Sequence, residues 1–247
     1  MRKLYIAIVI LLISLILVSS YNIFKELQNN KEQEAAFEEL IEMVEQVDNE
    51  SEETSIRNLE ALYEINNDLV GWLSIEDTTI NYPVVQSKNK PNHYLKRDFY
   101  KQYSSYGTPY IAEQCEINQS DNIIIYGHNM KNKSMFGALE NYKSKEYYDS
   151  HQHITFETLD NITTYEIFAV FKTVAYSNNG FRYYDYTNFS NEKEYNDFIK
   201  KCKELSFYKT NKCPEYGDEL LTLSTCEYSN TNGRLVVIAY ENNIKFL

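Results

Sequence analysis

Short runs in which apolar and polar residues alternate dominate the chain after Gly71, as in the stretch TINYPV at residues 79–84. An alternation with a period of two is typical of strands that bury one face. The predicted strands cover residues 72–75, 79–85, 109–113, 122–126, 153–158, 163–175, 220–225 and 234–240. Eight short strands indicate a closed barrel or a sandwich, so the fold class is mainly β.

Helical spacing of apolar residues comes before the strands and also interrupts them. One stripe contains Phe37, Leu40, Ile41, Val44 and Val47, and a second contains Ile56, Leu59, Leu62 and Tyr63. The polar stretch 48–55 between them predicts a break between two helices. Two further helices are predicted at 134–148 and 191–206, the second with Asn191 and Glu194 at capping-box spacing.

The first residues predict export. Arg2 and Lys3 precede an apolar run over residues 4–18 that resumes weakly to Phe24. This length fits both a signal peptide and a membrane-spanning helix, and the lack of an A-x-A cleavage site favours an uncleaved anchor. Basic residues before the span place the N-terminus in the cytoplasm and the body outside.

The negative charge is concentrated after this span. Residues 25–60 hold twelve acidic and three basic residues, whereas the whole chain of 247 residues has a net charge of −12. We expect an anchor over 1–24, an acidic helical stalk over 25–56 that is mainly solvated, and one domain over 57–247. The acidic balance argues against nucleic acid as a partner.

Cys226 and Arg234 are the first candidates for chemistry. Cys226 ends a strand-like run, and the turn signal Asn232-Gly233 precedes Arg234 at the start of the next run. The two strands are therefore predicted to be antiparallel neighbours with both residues at one end. A thiol beside a fixed cation becomes a better nucleophile, although a buried inert cysteine beside a surface arginine fits the pair equally well.

His128 is the third candidate. It follows the apolar strand at 122–126 and Gly127, at a strand end where barrels carry functional loops. An imidazole can protonate an amine leaving group, which thiol-based cleavage of a peptide bond requires. A structural histidine is the alternative at this position.

These residues lie in motifs that resemble those of the class B sortases, the membrane-anchored cysteine transpeptidases of Gram-positive bacteria. The stretch TLSTC ending at Cys226, the stretch YGHNM around His128 and the stretch NGR ending at Arg234 occur in the family's order. The blocks LVGW at 69–72 and YPVVQ at 82–86, with YL at 94–95 and DF at 98–99, extend the resemblance over residues 57–247.

The resemblance implies a sortase-type eight-stranded β-barrel with N-terminal helices and a helix before the cysteine strand. It also implies that Cys226 attacks the Thr carbonyl of a sorting motif (NPQTN-like or related) in an exported protein. His128 would protonate the leaving amine, and Arg234 would hold the oxyanion or position substrate. A peptidoglycan or lipid-linked precursor amine would then resolve the thioester, and no cofactor or metal is expected.

The residues expected to contact substrate rest on the same resemblance. They are Ser224 and Glu227 beside Cys226, Leu95 and Asn92 on one wall, and Tyr184 in a tyrosine-rich loop. Each of these side chains has packing as its alternative role. No Asp or Asn is assigned to orient His128.

Other cysteines and histidines receive no catalytic role. Cys115, Cys202 and Cys213 lie in a compartment where a disulfide can form, but their spacing shows no disulfide framework and none is expected. His151 and His153 are spaced to share a strand face as metal ligands, but no third ligand is nearby, so a solvated loop is expected.

Two other functions fit parts of the pattern. A hydrolytic cysteine peptidase of the cell wall would use the same thiol and imidazole but release its product to water. A non-enzymatic, membrane-tethered extracellular module would only present its β-domain to a partner. The nature of the product formed from a sorting-motif peptide and an amine distinguishes the three.

Overall fold

Eight strands close into a barrel in the computed structural model, which describes residues 2–45, 57–177 and 180–241. The strands are β1 (Leu69–Ser74), β2 (Asn81–Val85), β3 (Tyr110–Ile111), β4 (Asn122–Tyr126), β5 (His153–Glu157), β6 (Ile162–Val174), β7 (Leu220–Cys226) and β8 (Gly233–Glu241). Their order around the barrel is β1-β2-β3-β4-β7-β8-β6-β5. The predicted barrel is confirmed, and closure of the sheet decides against the sandwich.

The central strands are buried more completely than simple alternation predicts. Six of the seven residues of β7 are buried, and so are four of the five in β4. Loops and helices cover the outside of the barrel, with α4 (Glu192–Leu205) packed against β6. Both faces of these strands therefore carry apolar side chains, as expected for strands covered on both sides.

One of the two helices predicted between strands is present as predicted, and the other is not. In α4, Asn191 accepts a hydrogen bond from the Glu194 amide at 3.1 Å, which confirms the predicted cap. The single helix predicted over 134–148 is wrong: a 3-10 helix (Phe136–Lys143) is followed by α3 (Lys145–Ser150). Ser144 separates the two because it has an extended backbone and caps the Tyr147 amide.

The N-terminal region forms one long helix, α1 (Arg2–Glu45), and a short helix, α2 (Leu59–Ile65), comes just before β1. The polar break expected over 48–55 lies outside the described residues. In the described part of the chain, α1 alone is long and apolar enough to cross a membrane. Its large apolar residues from Leu4 to Leu27 are exposed, except for the partly buried Val9.

The acidic composition suggested that the stalk is mainly solvated. The second half of α1 nevertheless has one buried face. Phe37, Leu40 and Val44 are buried, and the Phe37 ring meets Tyr82 of β2 edge-on, with ring centroids 5.1 Å apart. Because this apolar stripe faces the barrel, the acidic residues are left on the other side of the helix. The helix is thereby fixed to the domain that it precedes.

Two 3-10 helices lie in the long connections at the rim of the barrel. One (His93–Lys96) lies between β2 and β3, and the other (Tyr183–Asp185) lies between β6 and α4. Both carry residues that the sequence assigned to substrate contact. They bring these residues toward the ends of β4 and β7.

Candidate active site

Cys226 and Arg234 lie directly opposite each other at one end of the barrel. The strands β7 and β8 are antiparallel, and Cys226 pairs in register with Arg234. Side chains of directly paired residues point to the same face with Cβ atoms about 5 Å apart. The prediction that Cys226 and Arg234 lie at the same end of neighbouring antiparallel strands is therefore confirmed.

The turn between these strands depends on Asn232 and Gly233 for different reasons. Asn232 takes the left-handed conformation, with φ of 59°. A Cβ on Gly233 would lie 2.2 Å from the Glu227 carbonyl oxygen, so only glycine allows this approach. The Glu227 amide then donates to the Gly233 carbonyl at 2.9 Å and closes the loop beneath Cys226.

His128 reaches the same end of the barrel through the parallel pairing of β4 with β7. Tyr126 pairs with Ser224, so two more residues along each strand bring His128 level with Cys226. Thr225 Oγ1 donates to the Gly127 carbonyl at 2.7 Å, and Asn129 Nδ2 donates to the Cys226 carbonyl at 2.8 Å. The loop that carries His128 is therefore bonded to the strand that carries the thiol, with Arg234 on the other side.

The His128 ring is oriented by a backbone group. Its Nε2 atom lies 2.6 Å from the Leu95 carbonyl oxygen. A carbonyl oxygen only accepts, so this nitrogen carries a hydrogen and the other ring nitrogen stays available. The sequence assigns no residue to this orienting role, and no sequence signal points to Leu95, because every residue has a backbone carbonyl.

Three of the predicted substrate-contact residues line this end of the barrel. Asn92 is exposed in the left-handed conformation, and its Oδ1 accepts from the Tyr110 hydroxyl at 2.8 Å. The Leu95 side chain is exposed, and Tyr184 is half-buried with its hydroxyl accepting from the Tyr176 amide at 3.1 Å. These three positions are compatible with the predicted contacts.

Ser224 is placed differently. It is buried, and its hydroxyl lies 2.6 Å from that of Tyr183, whose pKa is raised chiefly by burial. This hydrogen bond ties the tyrosine-rich loop to β7, next to Cys226. The geometry favours a positioning role for the Ser224 side chain over direct contact.

Glu227 is also engaged internally. Its side chain is 6% exposed, and its carboxylate binds Lys172 at 2.5 Å and Lys143 at 3.2 Å. It also accepts from the Ser229 amide at 3.0 Å. Burial opposes ionisation, but these partners outweigh it and lower the pKa of Glu227 to about 2. Glu227 therefore stays ionised and holds the loop that follows Cys226.

The other three cysteines, with His151 and His153, are not among the residues that line this site. Cys115 and Cys202 are buried, Cys213 is exposed, and all three are free thiols. His151 stacks on Tyr147, and His153 lies 4.0 Å from Glu166. Among the described residues, no three His, Cys, Asp or Glu side chains are grouped so that they could hold a metal ion.

The barrel, with a cysteine, a histidine and an arginine at one end, matches proteins of known fold and activity. The sequence model of the sortase domain family matches residues 73–242 of this chain. Sortase B of Staphylococcus aureus is 31% identical over 243 residues, 97% of each chain, and sortase B of Listeria monocytogenes is 36% identical over 185 residues, 72% of each.

Solved structures of sortase B are also similar to this fold. The Staphylococcus aureus sortase B–substrate complex superposes with a TM-score of 0.78 at 31% identity, covering 88% of this chain and 99% of that one. Sortase B from Bacillus anthracis in complex with AAEK1 gives 0.75 at 34% identity, covering 87% and 98%. The chain belongs to the sortase family, in class B. It is a cysteine transpeptidase, and its apolar N-terminal helix is consistent with a membrane anchor.

Proposed function

We propose that this enzyme cleaves an NPQTN-like sorting motif after Thr in exported proteins and joins the new carboxyl end to a cell-wall amine. The observation that carries the proposal is the placement of Cys226 between His128 and Arg234 by strand register. The similar Staphylococcus aureus structure is described as a substrate complex, and another similar sortase B structure as complexed with triglycine. A peptide and a primary amine are the two reactants that a transpeptidase needs.

The reaction begins at the Cys226 thiolate, which forms a C–S bond to the Thr carbonyl carbon. Arg234 Nη1 donates to the Gly233 carbonyl at 2.9 Å, which leaves its other donors available for the developing oxyanion. The C–N bond then breaks, and His128 gives its proton to the departing amine. The products of this half-reaction are a thioester on Cys226 and a free peptide amine.

The second half-reaction reverses these roles. The acceptor amine attacks the thioester carbon and loses a proton to His128, and the C–S bond breaks as the new amide forms. Cys226 returns as a thiolate and His128 as an imidazolium. A peptidoglycan or lipid-linked precursor amine is the proposed acceptor, and water in its place would give hydrolysis.

The remaining residues and segments complete the proposal. Asn92, Leu95 and Tyr184 contact the sorting motif directly, whereas Ser224 and Glu227 hold its surroundings in place. The helix α1 anchors the enzyme, with its N-terminus in the cytoplasm and residues 57–247 as the catalytic domain outside. The site would then lie on the side of the membrane where exported substrates appear.

Mass spectrometry of the product tests the proposal. A peptide containing the sorting motif is incubated with the enzyme, with and without a glycine-type or diamino acid amine. We expect an amine-linked product that ends at Thr, and none with Cys226→Ala. A free carboxylic acid as sole product would favour the hydrolytic peptidase, and an unchanged peptide would favour the binding module.

A further inference from the structure

One segment of this acidic protein has a strong positive charge. Residues 87–101 contain five basic residues and one acidic residue, whereas the whole chain has a net charge of −12. The basic residues are Lys88, Lys90, Lys96, Arg97 and Lys101, and all are exposed. The proposed reaction uses none of these cations.

Most of these cations lack a carboxylate partner within the described residues. Lys101 pairs with Asp68 at 3.1 Å, but the part of the chain that the structure describes places no carboxylate oxygen within 4.0 Å of Lys96 or Arg97. The pKa of nearby His93 is lowered by burial and by the positive charges of Arg97 and Lys90. The unpaired, exposed cations therefore make this region a source of positive potential.

Hydrogen bonds place this segment close to the point where the apolar part of α1 ends. Asn29 Nδ2 of α1 donates to Ser105 Oγ at 3.3 Å, and Gln33 Oε1 accepts from Ser104 Oγ at 2.7 Å. The Ser104 amide in turn donates to the Lys96 carbonyl at 3.1 Å. With ~1.5 Å of rise per residue, Asn29 and Gln33 lie only ~7 and ~14 Å along the helix from Phe24.

The turns of α1 that follow its apolar part are neutral, so they do not repel a negatively charged surface. Residues 25–32 contain two basic and two acidic residues, so these turns are neutral, and the excess of acidic residues begins only at Glu34. Lipid headgroups extend ~5–8 Å beyond the hydrocarbon on each side, and the Debye length adds ~8 Å at physiological salt. Cations at the level of residues 29–33 fall within this range.

An exposed tyrosine adds a second feature of membrane-facing surfaces. Tyr103 pairs with Arg97 through an isolated backbone bridge and is 77% exposed. Tyrosine is enriched where protein meets the headgroup layer, because its ring is apolar and its hydroxyl is polar. Arg97, Tyr103 and the neighbouring Lys96 therefore combine cations with an interfacial aromatic side chain.

We propose that Lys96, Arg97 and Tyr103, here called the basic patch, dock on the anionic lipid headgroups of the membrane that holds α1. This inference rests on the anchor in the proposed function. Leu95, which orients His128, directly precedes Lys96, and Asn132 of the loop after His128 donates to Glu34 of α1 at 3.1 Å. Docking therefore turns the catalytic end of the barrel toward the lipid, near emerging sorting motifs.

Fluorescence quenching in vesicles tests the proposal with the full-length chain. Tyr103→Trp introduces an exposed indole, and the natural Trp72 is fully buried and serves as an internal reference. The protein is reconstituted into vesicles with brominated acyl chains, made of phosphatidylcholine alone or mixed with phosphatidylglycerol. The matched control is Tyr216→Trp, which is exposed in the loop before β7, at the opposite end from Cys226.

We expect phosphatidylglycerol to increase quenching of the Tyr103→Trp protein but not of the Tyr216→Trp protein. Adding Lys96→Gln or Arg97→Gln should lower the docked-to-undocked ratio about fivefold each, and high salt should have the same effect. Vesicle flotation separates the two ways of failing. A chain that does not float contradicts the anchor and the docking with it, whereas a floating chain with equal quenching in both lipids contradicts the docking alone.

Discussion

Replacing Glu227 by Gln tests whether the loop that joins the nucleophile to Arg234 is held by charge. The substitution keeps the size of the side chain but removes the anion that binds Lys172, Lys143 and Ser229. A carboxyl group whose pKa falls from 4.5 to about 2 on folding gains ~3 kcal/mol of stability in its ionised form. The lysines are about one-third exposed and regain water, so we expect a loss of ~2 kcal/mol in the free energy of unfolding.

The dependence on pH gives this prediction a definite sign. Because the folded-state pKa lies below the unfolded value, the stabilisation is complete above pH 4.5 and is lost as the pH falls toward 2. The difference between the wild type and Glu227→Gln should therefore be constant near pH 7 and shrink steadily below pH 4.5. Denaturant unfolding, followed by the fluorescence of buried Trp72, measures it at each pH.

An exposed ion pair is the matched control. Asp197 pairs with Lys193 on the surface of α4, where both side chains are more than half exposed, so Asp197→Asn should leave the unfolding midpoint unchanged. Glu227→Gln should also lower kcat, because the loop that it releases sets the position of Cys226 relative to Arg234. An unfolding free energy that is unchanged at pH 7, or a difference that does not shrink in acid, would refute the reasoning.

The other predictions concern the reacting groups and can be checked with one peptide assay. Cys226→Ala should abolish turnover and keep the fold, and cleavage by the folded variant would exclude the thioester. Arg234→Lys should lower kcat by on the order of 10²-fold, because an ammonium cannot reproduce the paired donors of a guanidinium, and near-normal kcat would exclude the oxyanion role. His128→Ala should stop peptide cleavage but leave Cys226 open to alkylation by iodoacetamide, because that reaction needs no acid, and a folded variant that resists alkylation would exclude the general-acid role. Asn129→Ala, which removes the bond to the Cys226 carbonyl, should lower kcat about tenfold with little change in KM, and a change in KM alone would indicate substrate binding instead.

Local sequence pattern predicted the elements of this protein well. The alternation after Gly71 predicted all eight strands, and the strand at Asn122–Tyr126 was predicted without error at either end. The turn signal at Asn232-Gly233 predicted that Cys226 and Arg234 lie at the same end of two adjacent strands, as they do. These features depend on residues close together in the chain, so periodicity and turn chemistry were enough.

Contacts between distant segments had to come from the folded structure. His128 joins Cys226 because β4 and β7 are parallel neighbours, although β5, β6 and α4 lie between these two strands in the chain. The Leu95 carbonyl that orients His128 lies in the connection between β2 and β3. The lysines that bind Glu227 lie in the connection between β4 and β5 and in β6. A carbonyl is present at every position, and exposed lysines are common, so neither leaves a pattern in the sequence.

The sequence by itself determined which residues could react and in which local elements they lie. Tertiary structure decided which groups surround them: Ser224 is buried against Tyr183, and Glu227 is buried against two lysines. It also decided that the acidic helix packs on the barrel through Phe37, since the stripe that drives this contact needs a matching surface on β2. The physical reason is that periodicity reports which face of an element is apolar, whereas the partner of that face is selected only when the barrel closes.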